Sequence, residues 1–433
     1  MPLSVFLLNL NRPNGRFKKG CPMNQLFKNK AFLIITGSDL LQNLAIWVRN
    51  MAILYFIMEQ TQGDPVAVSL ITVLEYVPIF VFSIIGGALA DRWNPKRTMI
   101  TGDILSALSI VAIIAVLASG YWVVLYAATF VSSIVSQFSQ PSSVKIIKRN
   151  VEEKRVQSAI AITQSSQSLF LILGPIAGTF IYTVLGIMAS MYVLLGLFLA
   201  SAFILTFLPK DAASRDTDSS LLADIKEGWG YVLQSRSLRM LTLVFMCLGL
   251  SSGLINPLEI FLITERLGLE QTSVQFLSGA SGLGLLAGGG IAAAVSGRLN
   301  QSATLLFGTG FLAAATLGEV LSGWFWLTLV ASFLSSVSLA FVNVVISTYL
   351  VARIDEMMIG RVNGTITPLF MGAMLLGSAS SGVLMNTASL FAVYVISVLV
   401  LLVSILPGLR VQFASNKDGA VAANRDLPGQ ALE

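Results

Sequence analysis

The sequence predicts an all-α membrane protein with twelve transmembrane helices in two six-helix halves and both termini in the cytoplasm. Three observations predict it. Charged residues make up 11% of the chain and apolar residues 55%, against roughly 25% charged residues in a soluble domain, so this chain cannot dress a soluble surface. Apolar runs of about 20 residues recur, each long enough as a helix to cross roughly 30 Å of hydrocarbon. Lipid offers backbone amides no partners, which favours helices, and the period-two alternation of barrel strands is absent. Finally, the basic residues alternate from loop to loop.

Taken in order, the spans are expected at 31–58, 66–90, 98–118, 122–139, 157–183, 187–208, 238–263, 272–296, 303–321, 324–349, 363–385 and 388–408. They leave a tail at 1–30, an N-terminal half at 31–208, a linker at 209–237, a C-terminal half at 238–408 and a second tail at 409–433. In the first tail the apolar stretch Leu3 to Leu10 precedes Arg16, Lys18 and Lys19. A secretory signal has the reverse order, so Met1 to Pro22 reads as a cytoplasmic tail, with Met23 an alternative start.

Of the 27 lysines and arginines, all but Arg49 and Arg266 fall in the tails and the loops on one side. This bias sets the orientation and checks the span count, since one missed helix would scramble the alternation. The net charge of +5 is therefore a topology signal. Basic residues spread over seven loops make no nucleic-acid surface. The chain has two cysteines and no histidine, which removes zinc hydrolases, Ser-His triads and any metal cluster built on those ligands. There is no GxxxxGK[ST] phosphate loop. No catalytic residue, cofactor or metal is expected.

The linker carries Leu221, Leu222, Ile225, Trp229, Val232 and Leu233 on one helical face, which predicts an amphipathic helix on the cytoplasmic membrane surface. The halves resemble each other. Gly86-Gly87 and Gly288-Gly289-Gly290 each precede a short basic loop, and Arg155-Val156 and Arg361-Val362 each open a span. Both pairs recur at an offset of about 200 residues, as in two repeats related by an axis along the membrane normal. Gly282, Gly284 and Gly288 lie inside an apolar helix with no strand before them, so helix packing explains them better than a dinucleotide loop.

Residues 86–97 read GGALADRWNPKR. This segment resembles the loop between spans two and three of the major facilitator superfamily, with Gly87, Leu89, Asp91, Arg92 and Lys96 matching. Asn94 and Pro95 depart from the family's glycine and arginine, and Arg97 adds a base nearby. Thr101-Gly102-Asp103, Gly174-Pro175-Ile176-Ala177-Gly178 and Gly360-Arg361-Val362-Asn363-Gly364 resemble the macrolide-efflux branch. The resemblance implies the major facilitator fold and a secondary transporter, working as a monomer, that exchanges a small amphiphilic molecule for protons. It implies a conformational gate at Gly87, Asp91, Arg92, Lys96 and Arg97, joined by Asp103. Gly174 and Gly178 also form a small-xxx-small face for close packing, and Pro175 can bend the helix.

A charge at the bilayer centre costs about 2.5–3.5 kcal/mol on insertion scales, so each one calls for a reason. Arg49 and Glu75 flank Gly63 almost symmetrically. In an antiparallel helix pair that sets them at similar depth, as an ion pair facing a central cavity or as a clamp between spans one and two. Asp39, Gln42, Asn43, Arg49 and Asn50 share one helix face at about 100° per residue, a stripe expected to line a wet cavity. Asp39 is open to three roles: proton carriage, substrate contact or plain hydrogen bonding. Gln164, Gln167 and Asn343 are candidate neutral ligands for a substrate. Glu259 and Glu319 lie near span ends and are expected at the outer interface. Trp47, Tyr76 and Phe80 are candidate aromatic wall residues.

The resulting reading is a plasma-membrane exporter of drug-like amphiphiles. A lysophospholipid or siderophore exporter of the same fold is its rival, with an embedded enzyme or a non-transporting sensor from other classes.

Overall fold

The structure is a computed structural model, and it describes residues 26–209, 221–295, 300–354 and 356–411. Side chains in 83–92, 221–225 and 356–357 lie outside the described set. Both tails fall largely beyond these limits.

The described chain is helical. The long elements are α1 (Lys30–Gln60), α2 (Pro65–Arg92), α3 (Pro95–Ala118), α4 (Leu125–Asn150), α5 (Glu153–Thr206), α6 (Leu221–Gln234), α7 (Arg236–Ile255), α8 (Val274–Val295), α9 (Gln301–Leu321), α10 (Phe325–Arg353), α11 (Glu356–Thr387) and α12 (Leu390–Gly408). Their starts follow local chemistry. Asn29, Asp64, Asn94, Ser235, Asn300 and Ser389 each accept a backbone N–H of the first turn, which satisfies an otherwise orphaned donor. Pro65 and Pro95 stand at the first helical position, where no N–H is missed.

Eleven of these helical segments are long and apolar enough to cross a membrane. The sequence expects separate spans at 157–183 and 187–208, and here they join in α5, which has 54 residues. A straight helix of that length would run about 80 Å. Instead the chain turns back at Gly186, with φ 72° and ψ −179°, a conformation open essentially to glycine alone. Both arms then lie along α1: Tyr55 bonds Thr179 on the first arm at 2.7 Å, and Ser38 bonds Ser201 on the second at 2.7 Å.

The two halves repeat one packing scheme. In the first, α1 packs along α5, α2 on α4, and α3 on α4 and α5. In the second, α7 packs along α11 and α12, α8 on α10, and α9 on α10 and α12. The halves meet through α2 against α11 and α5 against α8, the pattern of a two-fold axis between them. Glycine lets backbones approach at the α5–α8 seam, where a Cβ on Gly282 would stand 2.9 Å from the Leu171 carbonyl, and within the second half between α8 and α10, where one on Gly288 would stand 2.8 Å from the Val337 backbone. α6 in the linker packs on α11, where Glu227 pairs with Arg361 at 2.9 Å.

Two ends of the bundle follow from chain order. The near end carries Lys30 and Gly408, and the far end carries Gly63, Gly186 and Gly268.

Candidate functional site

A cavity of about 610 Å³ lies between the halves. From the first half it is lined by Trp47, Asn50, Glu75 and Tyr76, and from the second by Glu259, Thr316, Glu319, Ser335, Phe370 and Met374, among others. Apolar and aromatic walls with a few convergent polar groups are the usual make-up of a small-molecule site. No lysine or arginine is among the residues lining it. Toward the far end the halves are joined by three polar contacts: Gln271 Nε2 donates to Glu59 at 2.9 Å, Asn386 Nδ2 donates to Asp64 at 3.2 Å, and the hydroxyls of Ser69 and Ser381 bond at 3.0 Å.

Arg49 and Glu75 come together as their spacing predicts, with Nη2 at 3.6 Å from Oε1. Arg49 is buried, while Glu75 is partly open and faces the cavity. A partner that sequence reasoning did not assign is Asn50. Its Oδ1 accepts from Arg49 Nε and Nη2 at 3.0 and 2.7 Å, a forked contact that fixes the guanidinium plane. The cation is thereby turned into protein, and the carboxylate is left to the cavity.

The rest of the α1 stripe lies elsewhere. Asp39, Gln42 and Asn43 are not among the residues lining the cavity. Gln42 Nε2 donates to Asp103 Oδ1 at 2.8 Å, and Ser201 Oγ donates to Asp103 Oδ2 at 2.6 Å. Ser143 Oγ donates to Asp39 Oδ2 at 3.1 Å, while Asn43 Nδ2 bonds the Asp39 carbonyl at 2.7 Å. These groups form a polar nest among α1, α3, α4 and the second arm of α5. Gln164, Gln167 and Asn343 are also absent from the cavity wall.

Glu259 and Glu319 require a correction. Expected at the outer interface, both line the cavity, and Glu319 is only 6% exposed. Position along a helix measures depth, but it does not say which face the residue occupies. After Ile255 the helix breaks at Asn256-Pro257, tightens to a 3-10 turn, and continues as a π-turn to Arg266. That break carries Glu259 inward of the span's true end. The Asn-Pro pair was the available signal, since discontinuous helices mark binding sites in transporters. Glu319 accepts a 2.7 Å bond from Ser335 Oγ of α10.

Of the gate motif, Gly87, Asp91 and Arg92 carry side chains outside the described residues. Lys96 donates its ammonium to the carbonyls of Thr206, at 2.8 Å, and Leu208, where a cation complements the α5 C-terminus. Arg97 lies in a surface groove between α3 and α4. Asp103 joins Gln42 and Ser201. The departure at Asn94-Pro95 has a local reason, because Asn94 caps α3 through the Arg97 N–H at 3.1 Å.

Gly174 and Gly178 lie against Trp47 of α1. A Cβ on Gly178 would stand 2.6 Å from the Trp47 carbonyl, and one on Gly174 would enter the indole ring. The pair beside Pro175 thus seats an aromatic residue of the cavity wall. Phe80 is absent from that wall and packs on Gly372 of α11.

Known proteins agree with this architecture. A family model described as Major Facilitator Superfamily matches residues 38–252. The uncharacterized MFS-type transporter YfiS of Bacillus subtilis (strain 168) is 28% identical over 374 residues, covering 83% of this chain and 88% of YfiS. Macrolide efflux protein A of Streptococcus pyogenes is 28% identical over 205 residues, covering 46% of this chain and 50% of that protein. A crystal structure of the nucleoside transporter NupG superposes with a TM-score of 0.74 at 11% identity, covering 88% of this chain and all of NupG; at that identity the likeness speaks for the fold. Its sequence motifs, its paired helical halves and these matches together make the chain a multi-pass member of the major facilitator superfamily that resembles the macrolide and multidrug efflux branch.

Proposed function

We propose that this protein is a secondary active transporter of the cell membrane that exports small amphiphilic, drug-like molecules in exchange for protons. Counting the two arms of α5 separately supports twelve crossings with both termini on one side, and the lysines and arginines at the near end favour the cytoplasm for that side. The observation that carries the reading is the cavity between the halves, apolar-walled and lined by acids, with inter-half contacts on its far side. Such a site serves alternating access, in which one half rocks against the other around a central binding position. The acids favour a cationic or neutral cargo and supply groups that can take up protons. The relation to macrolide efflux protein A, which spans part of each chain, supports export of a bulky amphiphile.

The test is transport by the purified full chain in proteoliposomes under an imposed pH gradient, with labelled erythromycin and ethidium as cargo. Accumulation against the cargo gradient, abolished by a protonophore, is expected. Flux that equilibrates and ignores the pH gradient would sink proton exchange. Movement of a lysophospholipid or siderophore in place of both probes would reassign the cargo.

A further inference from the structure

We propose that Glu259 and Glu319, with Tyr394 and Ser335, form the coupling-cation site of this transporter, placed in the C-terminal half and holding a single shared proton. Its role in coupling rests on the proton-exchange reading above; its existence does not.

Three observations carry it. Glu259 and Glu319 line one cavity and interact electrostatically with each other. No described residue donates a hydrogen bond to Glu259, and Glu319 receives one, from Ser335. The third observation is independent of the acids. Tyr394 of α12 is fully buried, and its hydroxyl has no hydrogen-bond partner. That hydroxyl sits in the field of both Glu319 and Glu259. A buried phenol left without a partner is rare and calls for a missing one.

The surrounding groups leave the charge unbalanced. From α2 the site is faced by Glu75 and Tyr76, and the Tyr76 phenol interacts electrostatically with both Glu75 and Glu259. Arg49 of α1 is committed to Glu75 and Asn50. α8, α10 and α11 turn neutral groups to the cavity, such as Ser281, Ser335 and Met374. Arg266 donates to the carbonyls of Val320, at 2.9 Å, and Leu321, at 3.0 Å. Two carboxylates sharing a low-dielectric site are not both ionised, so the pair holds one cation between them. With one proton bound, the protonated carboxyl donates to its neighbour. With the proton gone, the Tyr394 hydroxyl and Ser335 are the donors at hand for the charge left behind. The cation is a proton or a sodium ion, and the experiment separates them.

The experiment is an equilibrium proton titration of the full chain in detergent, comparing wild type with Glu259→Gln, Glu319→Gln and the double variant. Thermal unfolding and size exclusion verify that each is folded, and Glu152→Gln, at an exposed loop acid, serves as the control. Between about pH 6 and pH 9, above the range where ordinary carboxyls titrate, wild type is expected to release about one more proton per chain than either single variant, and the double variant no fewer than the singles, as for a coupled pair whose other proton leaves at lower pH. Superposed curves for wild type and Glu319→Gln would overturn the site. So would a double variant that loses two protons, which marks independent acids. Tyr394→Phe keeps the ring and is expected to shift the midpoint of that proton; an unmoved midpoint removes Tyr394 from the proposal. Titration in sodium chloride and in choline chloride identifies the ion: a proton leaving earlier in sodium means the site takes both, and identical curves mean protons alone. In proteoliposomes Glu319→Gln is expected to lose gradient-driven ethidium accumulation and keep ethidium exchange at equal pH. If wild type itself fails to accumulate ethidium, the transport reading falls while the titration still decides the site.

Discussion

The two halves each bury a pair of acids, and they treat them in opposite ways. Asp39 and Asp103 in the first half sit among α1, α3, α4 and the second arm of α5, and Asp103 has a donor on each oxygen. In the second half Glu259 lies in the helical continuation beyond the break that ends α7, and Glu319 lies on α9, with Ser335 on α10 and Tyr394 on α12. There Glu319 accepts one hydroxyl bond, Glu259 accepts none from a described residue, and the void begins beside them. A hydrogen-bonded acid with its oxygens filled holds helices together and has little left to offer a ligand. An acid short of donors at a cavity wall is unstable until something binds. The first half thus gives its acids donors, and the second leaves its acids to the cavity.

The comparison is sharpest where an acid has a buried cationic partner. Glu75→Ala leaves Arg49 buried without its carboxylate, and such a loss costs about 3–5 kcal/mol. Replacing both residues, as Arg49→Met with Glu75→Ala, is expected to recover most of it. Thermal unfolding of the two singles and the double, read as a cycle, measures the coupling. Equal damage from Glu75→Ala and the double variant would mean the 3.6 Å contact is incidental.

A smaller effect separates the two nests. Asp103→Asn leaves one of its two donors facing an amide N–H, at an expected cost of about 1–3 kcal/mol. Glu319→Gln removes an ionisable group from a site that lacks donors, so its stability is expected to stay level or rise while coupling is lost. If Asp103→Asn instead keeps its unfolding temperature and loses pH-driven transport, the assignment of roles is reversed.

The smallest effect comes from deleting one hydroxyl in each half. Ser201 bonds Ser38 and Asp103 and is fully buried. Ser201→Ala is expected to cost about 1–2 kcal/mol. Ser335→Ala is expected to cost less and to move the pH dependence of transport, which Ser201→Ala leaves in place. Unfolding curves and pH profiles of the two variants, measured side by side, decide it.

Much of the fold is legible in the sequence because lipid imposes it. Apolar length marks the helices, basic loops mark one side, and Asn94-Pro95 and Asp64-Pro65 write out helix starts. The Arg49–Glu75 pair is legible because equal spacing around a tight turn sets equal depth. The acids of the second half are hidden from the sequence for the opposite reason. Glu319 lies two residues from the end of α9, and only the helices around it make that end an interior. The α1 stripe shares one helix face at about 100° per residue, yet its members part: Asn50 lines the cavity while Gln42 bonds Asp103. Sequence periodicity gives a face without saying what opposes it, and helices with Ser143 and Ser201 fill most of the space where a cavity was expected.

Among the described residues the joint at the far end includes three hydrogen bonds between halves, each worth about 0.5–1.5 kcal/mol net. Together they amount to about 1.5–4.5 kcal/mol, less than the roughly 5.5 kcal/mol that inverts a two-state population from 1:99 to 99:1. A cargo that binds one posture modestly better than the other can therefore lift it. The molecule is fastened lightly enough for its passenger to work the door.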